Sequence, residues 1–255
     1  MSHKIGPDLT SRAERDKVAL TLIALALRLV VAGIITRPGY MDASYYAAGA
    51  KQIGEGNGFS EPFIWNYLND PAGIPHPGFL YWMPLPSLLG APLAALFPGS
   101  FLALQIPFAI LSALIPLIAY TLAWRATRDR QLAWAAGLLA TCGGFFFPYW
   151  TLPETFAPFA LFGSLSLWLA GRRRSQDSQE KADMSRWLLV GFLVGLAHLT
   201  RADGIILLPI VALAPLAPSP MGNAKIEDQG LYASDFTRNA VQLAMVAVGY
   251  VTGMG

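Results

Sequence analysis

The chain has 255 residues, of which 13% are charged and 54% hydrophobic, with a mean hydropathy of +0.44. A soluble domain carries roughly 25% charged residues, so this composition excludes an ordinary soluble protein and describes an integral membrane protein. The net charge of +2 is too small to attract nucleic acid, and the single cysteine, Cys142, rules out an intramolecular disulfide and lies in an apolar run that argues against a reactive thiol.

In chain order, the first apolar run is Val18–Thr36, preceded by a tail with Lys4, Arg12, Arg15 and Lys17. Basic residues at span ends stay cytoplasmic, which predicts an inside N-terminus and an outside position for Arg37–Phe79. The run is read as a retained helix, because it is long for a signal-peptide core and Arg37-Pro38-Gly39 is a poor cleavage site. After it, "DASYYAAGAKQIGEGNGF" predicts an amphipathic helix on the outer surface, capped by Asp42 and stopped at Gly-Asn-Gly.

The segment Gly78–Pro98 is apolar and long enough to span but carries Pro84, Pro86 and Pro92. If it crossed, Arg125, Arg128, Arg130 and Arg172–Arg174 would all be displaced to the outside. It is therefore expected to lie in the outer interface as broken helix, within an outer loop over 37–100. Spans follow at Phe101–Trp124, Leu132–Trp150 and Pro153–Ala170, then a cytoplasmic loop over Gly171–Arg186. Trp187–Ala217 holds Arg201 and Asp203 near its centre. It is either one tilted span with both charges at the midplane, or two arms, 187–200 and 204–217, meeting at "TRADG". Pro218–Arg238 reads as a loop and 239–255 as a last helix. The fold class is all-α: a polytopic transmembrane helical bundle, one domain over 1–255, with juxtamembrane helices in the outer loop. Because the chain stops at "VTGMG" inside a hydrophobic run, either a short gene product or the front part of a longer one is expected.

On the outer side the acids of interest are Asp42, about one turn beyond the first span, and Glu154 in "YWTLPETFAPFALF". Either can be a helix-end charge and nothing more. Together they can converge at one side of a bundle, where a carboxylate held near an acceptor hydroxyl acts as a general base. Arg28, inside the first span, is expected to face the bundle and pair with an acid or backbone carbonyls. His76 with Glu61 is a weak metal-site candidate, and a surface histidine is the preferred reading. A divalent ion is thus left open without a motif to support it. Tyr45, Tyr46, Trp65, Tyr67, Tyr81, Trp82, Tyr149 and Trp150 crowd the outer side as interfacial anchors.

The order of these features, and in particular "GYMDASYYAAG", "HPGFLYWMPLPSLLG", "LPETFAPFAL" and "GLAHLTRADG", resembles the GT-C type membrane glycosyltransferases, nearest to the protein O-mannosyltransferases and the bacterial aminoarabinose transferases of lipid A. The resemblance implies a multi-span helical enzyme. It would move a sugar from a polyprenyl-phosphate donor to a lipid, glycan or protein acceptor, with inversion, at the outer face of the plasma or inner membrane. It implies Asp42 as catalytic base, Glu154 as the second acid, and Arg201 at the donor phosphate, the alternative for Arg201 being a salt bridge with Asp203. Arg37, Glu61, His76 and Asp203 are left as acceptor contacts or structural residues. The chain departs from the family pattern in having Asp42-Ala43 where the mannosyltransferases have Asp-Glu, and "IPHPG" where they have Pro-Pro. Two other readings compete: a transporter or lipid flippase with Arg28, Arg201 and Asp203 along a path, and a truncated, non-enzymatic membrane protein.

Overall fold

The structure is a computed structural model and describes residues 7–64, 70–171, 180–214 and 229–255. It divides into two compact units between Leu161 and Phe162. The helices are α1 (Pro7–Ile34), α2 (Met41–Gly54), α3 (Leu85–Leu96), α4 (Phe101–Thr127), α5 (Arg130–Cys142), α6 (Phe156–Ala170), α7 (Glu180–Thr200), α8 (Leu207–Leu213) and α9 (Gln229–Met254). Two 3₁₀ segments, Gly144–Thr151 and Ala202–Ile206, and a two-stranded antiparallel ribbon pairing Glu61 with His76 complete the described elements. By length and composition, Arg12–Ile34 and Phe101–Thr127 could cross a bilayer.

In the first unit, α1 buries one stripe. Ala13, Asp16, Leu20, Ala24, Arg28 and Ala32 recur every three or four residues and are all buried, which is the repeat of one helix face. The helix begins at Pro7, well before the expected Val18, because that stripe continues into the polar tail: Asp16 accepts from Tyr120 at 3.0 Å and from the Arg130 guanidinium at 2.6 and 2.7 Å. Arg28 faces inward as expected and takes the backbone-carbonyl option. It donates to Thr141 O at 2.8 Å and Phe147 O at 3.3 Å, with the Phe147 ring 4.7 Å from its guanidinium carbon.

The helix expected over Leu132–Trp150 is divided. Gly143 takes φ +52 and ends α5 at Cys142, an exposed residue, and the chain continues as 3₁₀ turns through Thr151. A left-handed glycine just past the last turn is an ordinary helix stop. The proline-rich segment yields only α3, 12 residues or about 18 Å, short of the roughly 30 Å of a bilayer core. It packs on α2 through small residues, with Ala50 against Gly90 and Gly54 against Ala91 and Ala94. Tyr45 and Tyr46, expected as interfacial anchors, are instead buried. Trp65, Tyr67 and Arg172–Arg174 lie outside the described residues, as does much of the two expected cytoplasmic loops.

In the second unit, α7 starts at Glu180 and α9 at Gln229, both ahead of the expected Trp187 and Asn239. Asp183 explains the early start of α7, since its carboxylate takes bonds from Gln242 and Arg186, each at 2.6 Å. The two helices carry Gly191 and Gly195, and Gly249 and Gly253, each pair four residues apart. A Cβ on Gly191 would stand 2.1 Å from Val246 O, and one on Gly249 2.1 Å from Leu188 O. The backbones touch where side chains would ordinarily intervene, which is how small-residue pairs join helices in membranes. The core beside them is Trp187, Val190, Val194, Val211 and Val246. At "TRADG" the chain breaks, as in the two-arm reading: α7 ends at Thr200, Arg201 is extended, and Gly204 seats the 3₁₀ turn against Ala197 O.

Candidate active site

The loop from α1 to α2 and the turn before α6 bring two of the candidate acids to one side of the first unit. Tyr40 immediately precedes α2 in extended conformation and donates its hydroxyl to Glu154 Oε2 at 3.0 Å. The other oxygen of Glu154 accepts the Thr155 N–H at 2.6 Å, and the carboxylate is buried, with the residue 2% exposed. Asp42 stands two residues after Tyr40, and its negative charge acts on both Tyr40 and Glu154. Burial, then the charge of Glu154 and the hydrogen bond to it, hold the Tyr40 phenol well above its ordinary range, so it remains a donor at physiological pH. Around the pair, Tyr149 stacks edge-on to Tyr40, with centroids 5.2 Å apart, and contacts Phe156 at 6.3 Å.

Asp42 does not cap α2. The N-cap is Tyr40, with no side-chain cap bond, and Asp42 lies in the first turn, half-buried. Among the described residues its carboxylate has no hydrogen bond or ion pair. Glu154 is engaged and Asp42 is open, so the two acids are unequal: one is tied to Tyr40 and the Thr155 N–H, with burial raising its carboxyl above the ordinary range, and the other is half-buried without such partners among the described residues.

Glu61 and His76 form a separate cluster. Glu61 is buried, accepts the Tyr45 hydroxyl and the Phe79 N–H at 3.0 Å, and faces His76 Nε2 at 3.8 Å. His76 is no surface histidine. Its side chain is 8% exposed, with Nε2 2.9 Å from Phe63 O and Nδ1 3.1 Å from Pro77 O. No group of three metal-ligating side chains occurs among the described residues, and the protein partners of Glu61 give it a structural role, closing the loop over α2. Burial, and then Glu61, raise the Tyr45 phenol above its usual range. Glu61→Leu removes the carboxylate from this knot and is expected to destabilise the fold by about 1–3 kcal/mol, with Tyr45→Phe costing less; thermal unfolding in detergent measures both.

Arg37 is exposed on the loop leading to Tyr40. Arg201 and Asp203 belong to the second unit and bind each other in a fork, Nε to Oδ1 at 3.0 Å and a terminal nitrogen to Oδ2 at 3.1 Å. Sequence reasoning misses Tyr40 as a partner of Glu154. Its only signal is a tyrosine just ahead of the predicted helix.

The sequence matches the family described as dolichyl-phosphate-mannose-protein mannosyltransferase over residues 76–248, about two thirds of the chain. The matched stretch includes Glu154 and Arg201 and begins after Tyr40 and Asp42. No curated protein and no solved structure matches the chain significantly.

Proposed function

The chain belongs to the dolichyl-phosphate-mannose-protein mannosyltransferase family, membrane glycosyltransferases of the GT-C type, and from that premise we propose that it transfers a sugar from a polyprenyl-phosphate donor to an acceptor hydroxyl at the outer face of the membrane. The observation that carries this reading is the open Asp42 carboxylate beside the Tyr40–Glu154 pair. As the acceptor oxygen attacks the anomeric carbon from the face opposite the carrier, Asp42 takes the hydroxyl proton. The new carbon–oxygen bond forms while the bond to the carrier phosphate breaks, the electron pair leaves with the phosphate, and the anomeric centre is inverted. Glu154, held by Tyr40 and the Thr155 N–H, orients the acceptor beside Asp42. Arg201 is assigned to the carrier phosphate on its chemistry alone, a guanidinium fork matching phosphate oxygens as it now matches Asp203.

The reading places the chain as a multi-pass protein with a cytoplasmic N-terminus and the 37–100 segment outside. The test is transfer by the full chain in membranes supplied with a radiolabelled polyprenyl-phosphate mannose. Label is expected to move to a lipid, glycan or protein acceptor. No transfer from this donor, or from other polyprenyl-phosphate sugars, by a chain that circular dichroism shows to be helical would overturn the proposal.

A further inference from the structure

Gln105 lies in the middle of the first unit on α4, with no solvent exposure. Its amide nitrogen donates to Ala32 O and Ile35 O, both at 2.9 Å. Ala32 lies in the last turn of α1 and Ile35 one residue beyond it, where no further helical N–H exists to receive their carbonyls, so a side chain from another helix completes that end. On its other side, Gln105 Oε1 accepts from the Thr151 hydroxyl at 3.4 Å, a hydroxyl that also faces Pro148 O at 3.3 Å. Thr151 too is fully buried.

Each attachment point stands a few residues ahead of the candidate site. Five residues after Ile35 comes Tyr40, and then Asp42. Three residues after Thr151 comes Glu154. One buried amide thus grips the root of both loops whose tips meet in the Tyr40–Glu154 hydrogen bond. A glutamine suits the task because it offers two N–H groups to two carbonyls and one oxygen to a hydroxyl on a single planar group. Glutamate would turn acceptors toward carbonyls, and leucine or methionine would leave all three buried partners unanswered.

We propose that Gln105 is a positioning residue of the transfer reaction, setting the spacing between the Asp42 loop and the Glu154 turn through Ala32, Ile35 and Thr151. The proposal rests on the functional reading above. A catalytic geometry loosened by about an ångström loses rate while leaving ground-state contacts largely intact, so the signature falls on kcat.

The experiment compares Gln105→Leu, Thr151→Val, the double variant and Thr151→Ser in the transfer assay with radiolabelled polyprenyl-phosphate mannose. Gln105→Leu and Thr151→Val are each expected to lower kcat about tenfold or more with the donor KM within about twofold of wild type. The double variant loses little beyond the worse single one, because both cut the same link. Thr151→Ser keeps the hydroxyl and the rate. Wild-type kcat in both single variants, or a change confined to KM, overturns the proposal. Should Gln105→Leu fail to fold, Thr151→Val removes only a hydroxyl and carries the test. An arm independent of activity uses spin labels on Thr36→Cys and Pro148→Cys, both exposed positions, in a Cys142→Ser background. Gln105→Leu broadens the distance distribution between them relative to the same labels on the unaltered chain, and an unchanged distribution overturns the positioning role. If the wild type transfers nothing, the functional reading fails, and this arm still decides the fate of Gln105.

Discussion

Asp42→Asn is expected to lower sugar transfer roughly 10²–10⁴-fold, the range that a positioned general base contributes. Asparagine has the same shape and cannot take a proton. The fold should not register the change. Asp42 caps nothing and among the described residues holds no hydrogen bond; its service to α2 is a first-turn charge, worth about 0.3–1 kcal/mol. Turnover is to be measured in membranes beside the melting temperature of the purified protein. A large drop in rate with an unmoved melting temperature is the expected pair of results, and unchanged turnover removes Asp42 from the mechanism. Glu154→Gln should behave differently. Glu154 is buried and holds both Tyr40 and the Thr155 N–H, so its loss lowers rate and stability together.

The second large effect lies in the other unit. Gly191→Leu or Gly249→Leu is expected to disrupt the α7–α9 pair, because even a methyl group at either site would stand 2.1 Å from a backbone oxygen of the opposite helix. A side chain cannot yield there by rotating, so the helices must separate and give up the contact of both glycine pairs. Overpacking of this kind costs about 1–3 kcal/mol, occasionally more, and the obstacle is backbone. Thermal unfolding in detergent is the measure, with Gly33→Leu as the control, since nothing lies within 4 Å of a Cβ at Gly33. Equal melting temperatures for the α7 or α9 variants and this control would contradict the close approach.

The helical character of the chain is legible from composition, and the break at "TRADG" from the cost of carrying Arg201 and Asp203 through an apolar span. The inward face of Arg28 follows from the same reasoning. What escapes is decided by partners far along the chain. Nothing local in "RAERDKV" announces that Asp16 meets Arg130 and Tyr120, so hydropathy alone starts α1 too late. Asp183 and Gln242 likewise extend α7 and α9 into sequence that reads as polar loop. The two glycine pairs of α7 and α9 stand in the sequence as "GFLVG" and "GYVTG", small-residue spacings that a reading of apolar length does not register. In the site, an acid ahead of "ASYYAAG" fits a cap as well as a base. The placement of Tyr40 at the cap position removes the cap and leaves the base as a proposal. Membership in a glycosyltransferase family removes the ground for the transporter reading, which rests on the same arginines that the structure ties to backbone carbonyls and to Asp203.

Arg28 has a bearing on how the protein is made. Its acceptors, Thr141 O and Phe147 O, lie 113 and 119 residues downstream. When α1 leaves the ribosome those peptide groups have not been synthesised, and a guanidinium without partners at the centre of an apolar helix costs about 2.5–3.5 kcal/mol on insertion scales. The burial of Arg28 against those carbonyls is therefore completed only after the chain has grown through Phe147, which ties the packing of α1 to a much later moment of translation.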